Sequence, residues 1–243
     1  MYGDLDRPPL RATALARALE PDGWRVEVVE QTASTNALVR ARAAEAHGLV
    51  IVAEAQTAGR GRLDRTWVSP PRAGLTASVL LRPTELLAWV PLLGGLAVAQ
   101  ALREVAEVEA VLKWPNDVLI EGRKLCGLLA EVVNGAVVLG FGLNVTTHQD
   151  ELPVKEATSL LLAGAVVTDR DTLLRAILRQ LSGVLGDRDL AGYRDLCSTI
   201  GRQVRVELPG DRMVEGNAEA VDDEGRLLVD GIPYAAGDVI HLR

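Results

Sequence analysis

Cysteine, histidine and lysine are scarce in this chain, and most short catalytic signatures are missing from it. The only cysteines, Cys126 and Cys197, share no CxxC spacing. That argues against a disulfide scaffold and a cysteine-based zinc site, and makes a reducing cytoplasm the expected compartment. His47, His148 and His241 are scattered, without the spacing of a metal site or a triad. There is no GxxxxGKS/T phosphate loop, no GxGxxG after a strand and no GxSxG elbow. Long apolar runs are absent too. The uncharged stretch from Leu86 to Leu102 has 17 residues and contains Pro91, Gly94, Gly95 and Gln100. A spanning helix needs ~20 apolar residues, so this stretch reads as a buried helix. Residues 1–12 carry Asp4, Asp6, Arg7, Pro8 and Pro9 where a signal peptide would have an apolar core. Positive charge is in deficit: the net charge is −7 and the pI about 5.1. A general nucleic-acid or membrane binder would be basic.

What is present suits a folded enzyme-sized chain. The 243 residues are 48% hydrophobic and 24% charged, enough for a sizeable core. At ~150 residues per domain the length allows one large domain, or one large and one small. Of the 26 basic residues only Lys113, Lys124 and Lys155 are lysines. GC-rich coding accounts for most of that bias. Even so, a lysine here marks a position where a planar guanidinium fork does not replace a compact point charge.

The pattern along the chain predicts a short helix over 10–19 and a strand over 24–31. Ser34-Thr35-Asn36 supplies an N-cap to a helix with a stripe at Ala37, Leu38, Ala41 and Ala44, ending near Gly48. Leu49 to Ala55 is β-branched and apolar, a buried strand; Thr57 to Arg72 reads as a loop; Leu75 to Leu81 is another strand. The long helix covers Leu86 to Ala106. Strands follow at Val111–Trp114, Val118–Ile120, Lys124–Val133 and Val137–Val145, with tight Gly turns between some of them. Helices are expected near 156–163, 169–186 and 189–197. Beyond these, short strands at 204–208, 227–229 and 239–242, with turns at Pro209-Gly210-Asp211 and Asp222-Asp223-Glu224-Gly225, form a small β-barrel.

Four segments carry chemistry. Gln56 to Trp67 (QTAGRGRLDRTW) places Arg60, Arg62 and Arg65 among Gly59 and Gly61, directly after a buried strand. Glycines let backbone N–H groups approach an anion, alternating arginines add charge-assisted donors, and Trp67 offers a flat face to a ring. A merely basic surface loop is the bland alternative. In Lys113-Trp114-Pro115-Asn116-Asp117 the proline breaks a strand, leaving Asn116 and Asp117 at its end, where a plain Asn-Asp turn is equally satisfied. Glu121-Gly122-Arg123 is a hairpin turn that sets Lys124 at the start of a strand, where an inward lysine needs an anionic partner. Gly140 and Gly142 alternate on a strand, leaving room for a ligand, another backbone or a bulge.

Taken together these segments resemble the biotin–protein ligases. The matching pieces, in order, are Ser34-Thr35-Asn36, Gln56 with Gly59-Arg60-Gly61-Arg62, Trp67, Lys113 to Asp117, Arg123-Lys124-Leu125 with Gly127, and Gly142-Leu143-Asn144-Val145. The resemblance runs from about residue 30 to 162, and the small β tail fits it. Leu63-Asp64 stands where many members have a further basic residue and a glycine. The resemblance implies an α/β (α+β) fold: a mixed sheet flanked by helices, of the class II synthetase and biotin-ligase kind, in residues 1–197, then an SH3-like β-barrel in 198–243. About 30 residues precede Ser34, too few for the DNA-binding domain of the repressor members, so the monofunctional class and no nucleic-acid or membrane partner are expected. The implied activity is ATP-dependent: biotin becomes biotinyl-5′-AMP and passes to a lysine of a biotin carboxyl carrier domain, with ATP and biotin as substrates and Mg²⁺ assisting. By resemblance, Ser34, Thr35, Asn36, Gln56, Gly59, Arg60, Gly61, Arg62 and Lys124 bind biotin. Trp67, Arg65, Asn116, Asp117 and Asn144 serve the nucleotide. Lys124, Arg62 and Asp117 are the implied catalytic residues, Asp117 orienting or deprotonating the acceptor amine. No Mg²⁺ ligands are implied, and either a monomer or a homodimer is compatible. A lipoate–protein ligase and a non-catalytic biotin- or nucleotide-binding module are the alternative readings.

Overall fold

The computed structural model describes residues 7–62, 65–83, 87–208, 210 and 212–242. Asp4 and Asp6, Leu63 and Asp64 of the basic loop, Leu86, and Pro209 and Asp211 of an expected turn lie outside the described residues. A seven-stranded mixed sheet organises most of the rest, in the order β1-β2-β3-β7-β6-β5-β4. Its strands are β1 (Arg25–Thr32), β2 (Leu49–Gln56), β3 (Gly74–Leu81), β4 (Val111–Lys113), β5 (Asp117–Ile120), β6 (Arg123–Val133) and β7 (Ala136–Asn144). Strands β3 and β7 are buried at every residue, as continuous apolar runs in the middle of a covered sheet must be. Strands β1 and β2 pair in parallel while the other neighbouring strands of this sheet pair antiparallel, and the connection between β1 and β2 carries helix α2 (Thr35–Ala41). Two antiparallel hairpins close with left-handed residues at both central positions: Glu121 and Gly122 (φ 50° and 75°), then Asn134 and Gly135 (48° and 74°). That geometry matches the twist of the flanking strands.

One face of the sheet is covered by α3 (Val90–Val105), which packs against α4 (Arg170–Asp187). The helix approaches closely because residues 94 and 95 are glycines. A Cβ on Gly94 would stand 2.8 Å from Leu139 Cδ2 and 3.0 Å from Leu128 Cδ2. The opposite face carries the short α2, whose Val39 packs with Leu49, Ile51, Leu80 and Val138. The rest of that face is left for a cavity. Helix α1 (Ala12–Leu19) buries Leu15 and Leu19, and α5 (Leu190–Leu196) buries Tyr193. A buried ion pair fastens the start of α4 to the sheet: Arg170 Nη1 lies 2.7 Å from Glu54 Oε2, and Glu54 Oε1 accepts the Leu10 N–H at 2.6 Å.

The C-terminal residues form a separate five-stranded antiparallel sheet, β11-β10-β9-β8-β12. Its strands are β8 (Gln203–Leu208), β9 (Arg212–Val221), β10 (Leu227–Val229), β11 (Ile232–Tyr234) and β12 (Asp238–His241). Two indoles tie it to the large sheet. Trp89 Nε1 donates to Asp223 O at 2.7 Å and Trp114 Nε1 to Gly225 O at 3.0 Å, both in the turn between β9 and β10.

Three details differ from the sequence expectation. Residues 156–163 are turns rather than a helix, because their backbone bonds go to strand ends. Lys124 N donates to Glu156 O, Thr158 N to Lys124 O, and Leu160 N to Asn144 O. Helix α2 stops at Ala41, before Ala44, where turn bonds from Arg42, Ala43 and Glu45 replace the helical ladder. Strands β9 and β11 were not distinguished, since β9 mixes charged residues with its apolar positions and β11 holds Pro233.

Candidate active site

Register brings the expected residues together. Directly opposed residues on antiparallel strands share a face. One row across the sheet runs Thr76, Gly142, Gly127, Asp117, Lys113, and the neighbouring row runs Ser78, Gly140, Leu129. Thr76, Gly142, Gly127, Asp117, Gly140 and Leu129 of these rows floor a cavity of about 700 Å³, walled by Ser34, Thr35, Asn36 and Gln56 on one side and roofed by the basic loop. Lys124, Asn116, Asn144 and Asp238 also line it. The glycines of the floor are required. A Cβ on Gly142 would collide with the Trp67 indole, and one on Gly140 with the Asn36 side chain. Trp67 therefore packs directly against Gly142 and Gly127, with Lys124 Nζ 6.0 Å from its ring centre. Among the described residues its buried Nε1 has no hydrogen-bond partner.

Lys124 has the anionic partner its position demands: Nζ lies 2.7 Å from Asp117 Oδ1. Lys113, on the same row, has its ammonium pKa lowered, chiefly by burial, with Asp117 opposing the shift. Cys126 faces the opposite side. Burial pushes its thiol pKa up, which removes it as a nucleophile.

Each described arginine of the loop meets an internal partner. Arg62 Nη1 donates to Asn116 Oδ1 at 3.0 Å and approaches Gly237 O at 3.4 Å. Burial lowers its pKa, while Asp238 and Asp117 raise it. Arg65 pairs with Asp238 of β12, and Arg60 lies 3.4 Å from Glu131. The loop closes on itself through Gly61 N to Arg65 O at 2.7 Å and Trp67 N to Gly59 O at 3.0 Å. Gly59 sits against the Trp67 carbonyl and 2.9 Å (from a would-be Cβ) from Gln56 Nε2, so no side chain fits there.

On the far wall Ser34 caps α2, accepting from Ala37 N, and the Thr35 N–H donates to Gln56 Oε1 at 2.8 Å. Asn144 lines the cavity while its Nδ2 holds Thr158 O at 3.0 Å, so it also anchors the 156–160 segment. Sequence reasoning missed Ser78, Glu131 and Asp238. Ser78 had a signal, a second hydroxyl two residues after Thr76 on an otherwise apolar strand. Asp238 had none, because it comes from the other sheet. Among the described residues no three histidine, cysteine, aspartate or glutamate side chains gather as a metal site. The two aspartates at the cavity face Lys124 and Arg65, so this donor set does not fit a protein-held Mg²⁺. Among the described residues no helix is long and apolar enough to cross a membrane.

Residues 27–147 match the biotin/lipoate A/B protein ligase family, and residues 199–242 the biotin protein ligase C-terminal domain. The chain is 44% identical to a biotin–[acetyl-CoA-carboxylase] ligase of Mycobacterium tuberculosis, over 98% of this chain and 97% of that protein. It is 32% identical to the bifunctional ligase/repressor BirA of Escherichia coli, over 90% of this chain and 74% of that one. Among solved structures, the biotin protein ligase of Aquifex aeolicus in complex with biotin and ATP superposes with a TM-score of 0.76 at 29% identity, covering 90% of this chain and 98% of that one. With this sheet, this cavity and these matches, the chain belongs to the biotin/lipoate A/B protein ligase family and carries its biotin protein ligase C-terminal domain.

Proposed function

We propose that this protein activates biotin with ATP as biotinyl-5′-AMP and transfers the biotinyl group to a lysine of a carboxylase's biotin carboxyl carrier domain. The observation that carries the reading is one cavity with two chemistries. A neutral hydrogen-bonding wall, Ser34, Thr35, Asn36 and Gln56, faces a cationic end made by Arg60, Arg62 and Lys124. A molecule with a polar uncharged ring at one end and a carboxylate at the other matches both.

In the first step a biotin carboxylate oxygen attacks the α-phosphorus of ATP, and the bond to the β-phosphate breaks to release pyrophosphate. Both reactants are anions, so the barrier is electrostatic. Lys124 places a point charge between carboxylate and α-phosphate. Arg62, half-buried and aimed by Asn116, neutralises the developing charge, and Arg60 with the Gly59–Gly61 backbone covers the carboxylate. Trp67, Arg65, Asn116, Asp117 and Asn144 form the nucleotide side. In the second step a deprotonated acceptor amine attacks the acyl carbon, the anhydride C–O bond breaks and AMP leaves, while the proton lost from nitrogen passes to solvent. Asp117 aims Lys124 in the first step and orients that amine in the second. The catalytic unit is residues 1–197 and the β unit 198–243. Mg²⁺ would accompany the phosphates of ATP rather than occupy a cage of this protein, and no step is assigned to it. The net charge of −7 and two free thiols favour a cytoplasmic enzyme with no nucleic-acid partner.

ATP–pyrophosphate exchange tests the reading. Exchange that requires biotin and is not supported by lipoate is expected. Equal exchange with lipoate, or none with biotin, would overturn it.

A further inference from the structure

Glu131 belongs to no motif and lies outside the cavity lining, yet it terminates a chain of side chains that reaches the wall. It sits on β6 two residues beyond Leu129, on the same face of the sheet. Its Oε2 accepts from Asn36 Nδ2 at 2.9 Å. Asn36 Oδ1 is 2.6 Å from Ser78 Oγ, and Ser78 Oγ is 2.7 Å from Thr35 Oγ1. Thr35 Oγ1 is 3.1 Å from Gln56 Oε1, which also accepts the Thr35 backbone N–H. Ser78 is fully buried, and Thr35 and Asn36 are 4% and 5% exposed, so bulk water does not complete this chain. Gly140 gives Asn36 the space to cross the sheet.

Counting protons fixes the direction of the chain. A carboxylate only accepts, so Asn36 must turn its amide nitrogen to Glu131. The Leu129 carbonyl, 3.4 Å from the same nitrogen, supports that orientation. Asn36 Oδ1 then accepts the single proton of Ser78, and Ser78 can only accept from Thr35. At the other end the Thr35 backbone N–H holds Gln56 Oε1. Two acceptor oxygens, Thr35 Oγ1 and Gln56 Oε1, are left side by side on the wall with no proton between them. A ligand N–H is the missing donor, and the cyclic urea of biotin carries such groups.

We infer that Glu131 is a positioning residue that sets the hydrogen-bond direction of the Asn36–Ser78–Thr35 chain, so that the wall presents acceptors to the ring N–H groups of the ligand. This rests on the biotin reading above. Without Glu131 the Asn36 amide is free to turn over. The Ser78 proton then goes to Thr35, the Thr35 proton goes to Gln56 Oε1, and the acceptor pair is lost.

Biotin-dependent ATP–pyrophosphate exchange reads this directly. Glu131→Ala should raise the biotin KM by about tenfold or more, the scale of one lost hydrogen bond, with kcat and the ATP KM within about twofold. Asn36→Asp, which removes the donor and opposes two carboxylates, should raise the biotin KM further. Adding Glu131→Gln to Asn36→Asp supplies an amide donor from the other side and restores the direction, so about a tenfold recovery is expected. A purely structural role would give additive losses in the double variant. An unchanged biotin KM in Glu131→Ala, or a double variant no better than Asn36→Asp alone, would overturn the inference while leaving the ligase reading standing. No biotin-dependent exchange in the parent protein would overturn both.

Discussion

Lys124 shows how backbone contacts with another segment fix the place of a single side chain. Its N–H donates to Glu156 O at 2.7 Å and its C=O accepts from Thr158 N at 2.8 Å, so the residue is pinned on both sides. Asp117 then directs the ammonium along the floor. Lys124→Ala should reduce adenylate formation by roughly a thousandfold or more, with far-UV circular dichroism unchanged, because the lost group is a charge at the reacting centre. Lys124→Arg should recover only part of that activity, since a planar fork does not fill a point-charge position. Pyrophosphate exchange near the parent rate in Lys124→Ala would refute the assignment. At Gly142 the constraint is steric. Gly142→Ala drives a methyl into the Trp67 indole, and overpacking of this kind costs about 1–3 kcal/mol. A raised ATP KM and lower thermal stability are the expected readouts.

At the scale of elements, the basic loop was legible in sequence as chemistry but not as geometry. The run of glycines and arginines reads as an anion site because those residues are contiguous. Its partners, Glu131, Asn116 and Asp238, are 71, 54 and 173 residues or so distant from Arg60, Arg62 and Arg65, and register brings them in. The protein thus supplies Arg60 and Arg65 with counter-charges of its own. The strand order was hidden for a similar reason: alternation marks each strand but not its neighbour. The 156–163 segment misled because its apolar residues suit a helix, whereas its backbone bonds are spent on β6 and β7. A loop whose ion pairs are partly exposed still exchanges them readily for a ligand's charge. Arg62→Ala should weaken ligand binding and let adenylate escape, seen as biotin label on bystander lysines. Proteolysis within residues 59–65 should slow when a non-hydrolysable adenylate analogue is bound. Equal nicking rates with and without the analogue would rule out ligand-driven closure.

Across the whole molecule, the two sheets work on one cavity. The Trp114 indole belongs to the same motif as Asn116 and Asp117, yet it faces away from the cavity to hold Gly225, while its backbone N–H donates to Thr199 Oγ1 at 3.1 Å. That tie sets where Asp238 meets Arg65 and where Gly237 meets Arg62. Trp114→Phe leaves the Gly225 carbonyl without its donor and should cost about 1–3 kcal/mol, read as a lower melting temperature, together with a raised ATP KM. Loss of stability with the ATP KM unchanged would show that the β unit merely packs.

Acid should loosen the same region. Burial, with Lys113 and Arg202, lowers the His241 pKa from 6.5 to about 4. The unfolded chain then binds the proton first, so this contribution is intact above pH 6.5 and is lost as pH falls towards 4. His241→Gln should flatten the stability profile across that window, measured by urea unfolding at each pH.

The most direct test of the ligase account follows the intermediate itself. The enzyme is incubated with biotin and ATP, freed of unbound nucleotide, and then given an apo biotin carboxyl carrier domain with no further ATP. Biotinyl-5′-AMP should be recovered by mass spectrometry before the chase, and one lysine of the carrier should gain one biotinyl group as AMP appears. Carrier labelling that needs fresh ATP, or no adenylate retained by an enzyme that still labels the carrier, would contradict it.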